Sequence, residues 1–346
     1  MEKFSQFRDR GSGIAPFLPI SPDRSGLLLP FHVFLFCLRL PFFISACFSY
    51  FFFLQWLPIG SLGRKASLWV LLGIPGIWWV DLQIDGVRKG SLAMHEKRLP
   101  QPKTVIASCF TSPIDALYLA AIFDPIFTVS YPYSRKVRQI SLLEAMLRAL
   151  SAPELRPPPN ARLVDLATLL KRNPDRVIAV FPECTTTNGK GILRPSPSLV
   201  TTPPATKIFP VSIRYSPADI TTPVPNTYIS FLWRLFSKPT HCIRVRIAES
   251  VIMGSTGEPS PQPSSRAARG ARRPSYSYNY IDALDASEGN QEENQTLEEL
   301  NRSLTNEQKA LLGQVGEALA RLGRVRTVGL GAEEKREFVS LWSKRR

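Results

Sequence analysis

The chain has 346 residues, with 43 Lys and Arg against 28 Asp and Glu, for a formal net charge of +15. It is long enough for one large domain or two small ones, and its charge calls for an anionic partner. Its five scattered cysteines, an odd number with no CxxC pair, argue against a disulfide framework and a zinc site, and the absence of a basic helix, zinc pattern or paired aromatic strands argues against nucleic acid.

In chain order, residues 1–26 read as an amino-terminal tail. Residues 27–57 are the most apolar part of the sequence, and the run from Leu40 to Leu57 carries no charge. That run is about long enough to cross a hydrocarbon core of roughly 30 Å, with Arg39 placed to snorkel to the interface. A signal peptide fits poorly, because the run begins far from Met1 and no small-residue cleavage site follows. The next apolar stretch, Leu68–Val80, is too short to span and is broken by Gly73, Pro75 and Gly76. Its tryptophans, Trp69, Trp78 and Trp79, suit the headgroup level, and a buried core helix is an equal alternative. Residues 27–80 are therefore read as a membrane-spanning and interfacial segment.

Residues 81–253 alternate strand and helix patterns, which predicts an α/β domain with a sheet covered by helices. "TVIAS" (104–108) reads as a buried strand, after which Pro113 opens a helix. Further helices are predicted over 140–150 and 161–172, and further strands over 176–181, 207–215 and 242–249. Residues 254–303 are too poor in apolar side chains to offset chain entropy and read as a disordered linker. Its arginine cluster (Arg266, Arg269, Arg272, Arg273) reads as solvated rather than lipid-bound. Residues 304–346 read as carboxy-terminal helices. Thr305 and Gln308 have capping-box spacing, and Leu311, Leu312, Val315, Leu319 and Leu322 form one face that docks on the domain.

Two segments carry candidate chemistry. "SCFTSPID" places Asp115 at a helix start, and "FPECTTTNG" follows a second strand about seventy residues on. A third segment, "IFPVSIRY", is an apolar strand with a proline. Alone, each is weak: an acid at a helix start complements the dipole, and Thr–Asn–Gly runs make ordinary turns.

In this order the three segments resemble the PlsC-type glycerophospholipid acyltransferases, over roughly residues 68–250. That family carries His-x4-Asp, then "FPEGT", then an apolar strand with a proline. The resemblance implies a mixed sheet covered by helices and acyl transfer from acyl-CoA, as co-substrate, to a lysophospholipid of the lysophosphatidic acid type. It implies no separate cofactor and no metal. It places the protein in a membrane, at the endoplasmic reticulum or lipid droplet, with the catalytic domain facing the cytosol. Asp115 would be the catalytic acid residue of the first motif, and Phe181, Pro182, Glu183 and Thr185 would hold substrate. Lys190, Arg194 and Arg214 are candidates to meet a phosphate.

The departures bear on chemistry. In the family the motif histidine takes the proton of the lysolipid hydroxyl, and its aspartate steadies the imidazolium. Here Phe110 stands in that position, with Cys109 where Asn is customary. Cys184 stands where Gly is usual, which predicts strain or a reshaped turn if the position needs φ > 0. The remaining histidines, His32, His95 and His241, lie outside the motif, and Cys109 has no basic partner to make it a nucleophile. Two readings follow: an acyltransferase, or a catalytically impaired acyltransferase-like protein that binds lipid in a membrane.

Overall fold

The computed structural model describes residues 2–21, 26, 28–54, 61–87, 98–254 and 303–344. The expected linker, apart from its end residues, lies outside the described residues, as do its arginine cluster and His95.

The described chain forms ten strands: β1 (Ile77–Ile84), β2 (Val105–Ser108), β3 (Ile126–Tyr131), β4 (Ser134–Ile140), β5 (Leu163–Val164), β6 (Ile178–Val180), β7 (Gly191–Ile192), β8 (Ile208–Ser216), β9 (His241–Ile247) and β10 (Arg326–Thr327). Eight of them make one sheet in the order β1-β9-β8-β2-β6-β3-β4-β5, and β7 pairs with β10 apart from it. The central strands β8, β2, β6 and β3 run parallel, while β4, β5 and β9 pair antiparallel at the flanks. All four central strands have short, almost continuous apolar runs, and β2, β3 and β6 are buried at every position. That is the pattern of parallel strands covered on both faces.

The helices are α1 (Leu29–Ser49), α2 (Ser61–Gly73), α3 (Pro113–Phe123), α4 (Leu142–Arg148), α5 (Leu166–Arg172), α6 (Tyr228–Ser237), α7 (Asn306–Gly323) and α8 (Ala332–Ser343). The mixed α/β sheet with covering helices and an amino-terminal apolar helix agrees with the sequence reading. In α3, Pro113 fills the first turn, where its missing N–H costs nothing. In α7, Thr305 Oγ1 accepts from Gln308 N at 3.4 Å and Gln308 Oε1 accepts from Thr305 N at 3.0 Å. The five apolar side chains expected to dock, Leu311, Leu312, Val315, Leu319 and Leu322, are all buried. Such burial is worth about 1.5–3 kcal/mol for each large side chain.

Residues Leu29–Leu54 form one continuous helical run, long and apolar enough to cross a membrane, with none of its most apolar window buried. Arg39 does not reach away from the globular part. Its guanidinium donates to the carbonyls of Lys238 (2.6 Å), Pro239 (2.9 Å) and Pro75 (3.3 Å). Nearby, Phe36 meets Trp233 and Phe43 meets Phe236 at centroid distances of 5.2 and 5.0 Å. The other side of this helical run stays uncovered: Phe34 and Phe42 on α1 and Phe52 just beyond it are each 60% exposed or more, as are Trp78 and Trp79 on β1 and Ile229 on α6.

The stretch Leu68–Val80 divides in two. Leu68, Leu71 and Leu72 are buried core residues of α2, whereas Ile77–Val80 begin edge strand β1, parallel to β9. The break at Gly73, Pro75 and Gly76 is the turn between them. Gly76 adopts φ +88°, and an added Cβ would lie 2.4 Å from the Pro239 carbonyl oxygen, so this close approach requires glycine. The helix expected over 161–172 is shorter, because Leu163–Val164 pair with β4 before α5 begins.

Candidate active site

Strands β2 and β6 lie side by side and parallel, so the turns that leave their carboxyl ends are neighbours. The first turn is Cys109–Ser112 and the second begins at Phe181. Their junction is one side chain: Glu183 Oε1 accepts from Phe110 N at 3.3 Å, and Oε2 accepts from Leu193 N at 3.0 Å. Thr187 N returns a bond to Phe110 O at 3.0 Å, and Thr222 N donates to Thr111 O at 2.8 Å. Backbone groups of the first turn are therefore bonded to segments more than seventy residues away in sequence.

Asp115 pins the same turn from the helix side. Its Oδ2 accepts from Thr111 N (2.6 Å), Ser112 N (2.9 Å) and Thr111 Oγ1 (3.1 Å), and Oδ1 accepts from Tyr215 Oη on β8. Asp115 has no exposed surface. Burial pushes its carboxyl up to about 6 against those donors, and it pushes Glu183 further, to about 8, against the Leu193 and Phe110 amides. Burial also raises the Tyr215 hydroxyl far above its ordinary value, with the Asp115 charge adding to the shift. Tyr215 therefore stays protonated and donates.

Beside Phe110 a narrow cleft of about 20 Å³ opens between β3, α4 and the second turn. Phe110 and Phe181 line it, stacked with centroids 4.4 Å apart. Val129 and Ile140 continue the apolar wall, and Cys184 and Thr185 close it. At the rim, Arg148 Nη2 holds Glu154 at 2.7 Å, and both residues line the cleft. Arg148 also meets Glu144, through Nε at 3.4 Å. The arrangement is an aromatic slot with hydroxyls inside it and an ion pair at the mouth.

The expected site residues are distributed unevenly. Phe110, Phe181 and Thr185 line the cleft. Asp115, Pro182 and Glu183 are buried behind it and shape the turns. Lys190 is exposed. The Arg194 guanidinium donates to Gly329 O at 2.8 Å, and that of Arg214 to Gly189 O at 2.5 Å. Cys109 packs in the core, where Ile213 N donates to its Sγ at 3.1 Å and burial raises its thiol, which suits a structural cysteine. His241 is buried, with Nε2 2.8 Å from Leu235 O, and His32 lies on α1.

Sequence reasoning missed Tyr215, Arg148, Thr222 and Lys335. Tyr215 had a signal: alternation along β8 puts Val211, Ile213 and Tyr215 on one face, level with the end of β2 and beyond. Lys335 had one too, in a charge spaced three and seven residues from Phe338 and Trp342 on an otherwise apolar helix face.

Cys184 adopts φ 58°, so of the two outcomes the sequence left open, strain or a reshaped turn, the left-handed conformation is kept. A side chain there costs about 1–2 kcal/mol, and glycine would return part of that gain as chain entropy. Cys184→Gly is expected to stabilise the protein by about 0.5–1 kcal/mol, read as a higher denaturant midpoint in detergent. Its thiol, pushed up to about 12 by burial, is uncharged at neutral pH, so no ionic contact is lost.

Paired motif turns at the ends of parallel strands meet beside a narrow cleft of mixed polar and apolar lining. Comparison with known proteins bears on what this site serves. The chain is 28% identical over 260 residues to the "Putative lysophosphatidic acid:oleoyl-CoA acyltransferase" of Schizosaccharomyces pombe, covering 72% of this chain and 84% of that protein. It is 25% identical over 279 residues to "Lysophosphatidic acid:oleoyl-CoA acyltransferase 1" of Saccharomyces cerevisiae, covering 75% of this chain and 87% of that protein. No family model matches. The similarity to these relatives over most of the chain supports an acyltransferase family and a role in lipid metabolism.

Proposed function

We propose that this chain is a membrane-bound, PlsC-type acyltransferase that moves an acyl chain from acyl-CoA to a lysophospholipid of the lysophosphatidic acid type. The observation that carries this reading is the similarity, over about three quarters of the chain, to two proteins named for that reaction. The lysolipid hydroxyl oxygen forms a bond to the thioester carbonyl carbon, the C–S bond breaks, and the hydroxyl proton ends on the departing CoA thiolate. Phe110, Phe181 and Thr185 contact substrate in the cleft, and Lys190 is the exposed cation assigned to phosphate. Pro182 and Glu183 shape the second turn, Arg194 holds it to the carboxy-terminal segment, and Asp115 orders the first turn. The uncovered apolar faces of α1, β1 and α6 support seating on a membrane. The endoplasmic reticulum or a lipid droplet, with the domain on the cytosolic side, is the location proposed from the family resemblance.

One observation favours a second reading, a lipid-binding protein without turnover. Position 110 has no exchangeable proton, and among the described residues the carboxylate that lines the cleft, Glu154, is tied to Arg148. Without a positioned general base, acyl transfer forgoes the usual contribution of about 10²–10⁴-fold, so an enzyme built this way is slow. Membranes carrying the chain, given labelled oleoyl-CoA and lysophosphatidic acid, decide between the two. Labelled phosphatidic acid above the level of membranes without the chain supports the enzyme. Retention of either ligand with no product supports the second reading and overturns the first.

A further inference from the structure

One buried charge reaches the cleft turns from outside both motifs. Lys335 on α8 has no exposed surface. Its Nζ donates to Thr186 O at 2.6 Å and to Thr186 Oγ1 at 2.9 Å. Thr186 follows Cys184 and Thr185, which line the cleft. Thr186 Oγ1 in turn donates to Thr222 O at 2.7 Å, and Thr222 N donates to Thr111 O at 2.8 Å. A chain of hydrogen bonds thus runs from α8 through the second turn to the first, next to Phe110.

Burying an ammonium group costs several kcal/mol unless it is paired, and among the described residues no carboxylate lies within ion-pair distance of Lys335. Burial accordingly depresses it to about 7, with the more distant Glu183 charge opposing the shift. Packing alone would be served better by an apolar side chain, because Phe338, three residues on, centres an aromatic cluster with Phe4, Phe7, Phe17 and Trp342. The amino-terminal segment around Phe17 holds the same loop: Asn188 Nδ2 donates to Ala15 O and Leu18 O, both at 2.8 Å.

We propose that Lys335 is a positioning residue for the cleft, which through Thr186 and Thr222 fixes the two turns carrying Thr185 and Phe110. The catalytic part of this inference rests on the acyltransferase reading, whereas the positioning part does not.

The test uses the full chain in detergent or nanodiscs, with Lys335→Met and Thr186→Val. Amide hydrogen exchange is read at Thr187, Asn188 and Thr222, with the α3 amides as internal reference. In Lys335→Met, exchange at these amides is expected to rise about threefold to tenfold, the worth of about one hydrogen bond. The thermal midpoint should change little, since removal of the buried charge offsets the Thr186 carbonyl left unpaired. The kcat is expected to fall about tenfold with KM for both substrates unchanged, as for a misplaced but intact site.

Unchanged exchange, or a rise spread equally over α3 with a lower midpoint, overturns the proposal. So does an unchanged kcat in an active wild-type protein. If wild type transfers no acyl group, the acyltransferase reading fails and the exchange result alone decides. If Lys335→Met does not fold, Thr186→Val decides, because it keeps the lysine and its carbonyl bond but cuts the link to Thr222. Faster exchange at Thr222 supports the chain of bonds, and unchanged exchange there refutes it.

Discussion

Phe110→His is expected to raise the rate of acyl transfer about 10²–10⁴-fold, the usual contribution of a positioned general base. The backbone at 110 is fixed independently of its side chain, by Glu183 Oε1 at the amide and by Thr187 N at the carbonyl. The substitution therefore exchanges one ring for another without moving the turn. An imidazole there lines the cleft against Phe181, and the buried Asp115 carboxylate nearby favours the cationic form that follows proton transfer. The lost stacking on Phe181 costs about 1 kcal/mol, too little to unfold a core of this size. Initial rates with labelled oleoyl-CoA and lysophosphatidic acid measure the gain. A folded variant with no gain would mean that the reacting hydroxyl does not bind beside position 110.

How much of this site could be read beforehand depended on whether local chemistry or distant packing fixed each element. β2 and α3 were legible because "TVIAS" is a continuous apolar run and Ser112-Pro113 is a strong helix start. The αL backbone at Cys184 was legible only as a condition, through the glycine usual at that position in the family it resembles. The meeting of Phe110 with Glu183 was legible only as a resemblance, since a spacing of 73 residues carries no physical signal. By contrast, β1 was hidden because "IWWV" has the composition of an interfacial segment. Pairing with β9 along one edge leaves its tryptophans outside and makes a strand of it. The β3–β4 hairpin was hidden by "SRKVRQI", a charged sequence that becomes a strand because Val137 and Ile140 turn inward while Arg138 pairs with Glu144. The part played by Lys335 needs α8 and the cleft turns to meet in space, which no local pattern encodes.

Asp115→Ala is expected to cost about 3–5 kcal/mol of stability and to abolish acyl transfer, because it strips a shared acceptor from a fully buried site. Two backbone N–H groups, the Thr111 hydroxyl and the Tyr215 hydroxyl all donate to this carboxyl. Alanine leaves them unpaired where water does not reach. Asp115→Asn is milder, since the amide keeps one acceptor and the Tyr215 hydroxyl can turn to accept from its NH₂. The pH dependence separates the two forces acting on the group. Its folded value of about 6 lies above the ordinary 3.8, so its favourable contribution is complete below pH 4 and is lost as pH rises through 6. The loss approaches about 3 kcal/mol, at 1.36 kcal/mol per unit. Neither variant carries this titration, and Glu183 titrates in all three proteins. The stability gap between wild type and Asp115→Ala should therefore narrow between pH 4.5 and 7.5 in denaturant titrations. A gap that widens over the same range would mean that the four donors outweigh burial and hold the carboxylate below its ordinary value. The first turn would then be locked by a charge and not by a neutral acid.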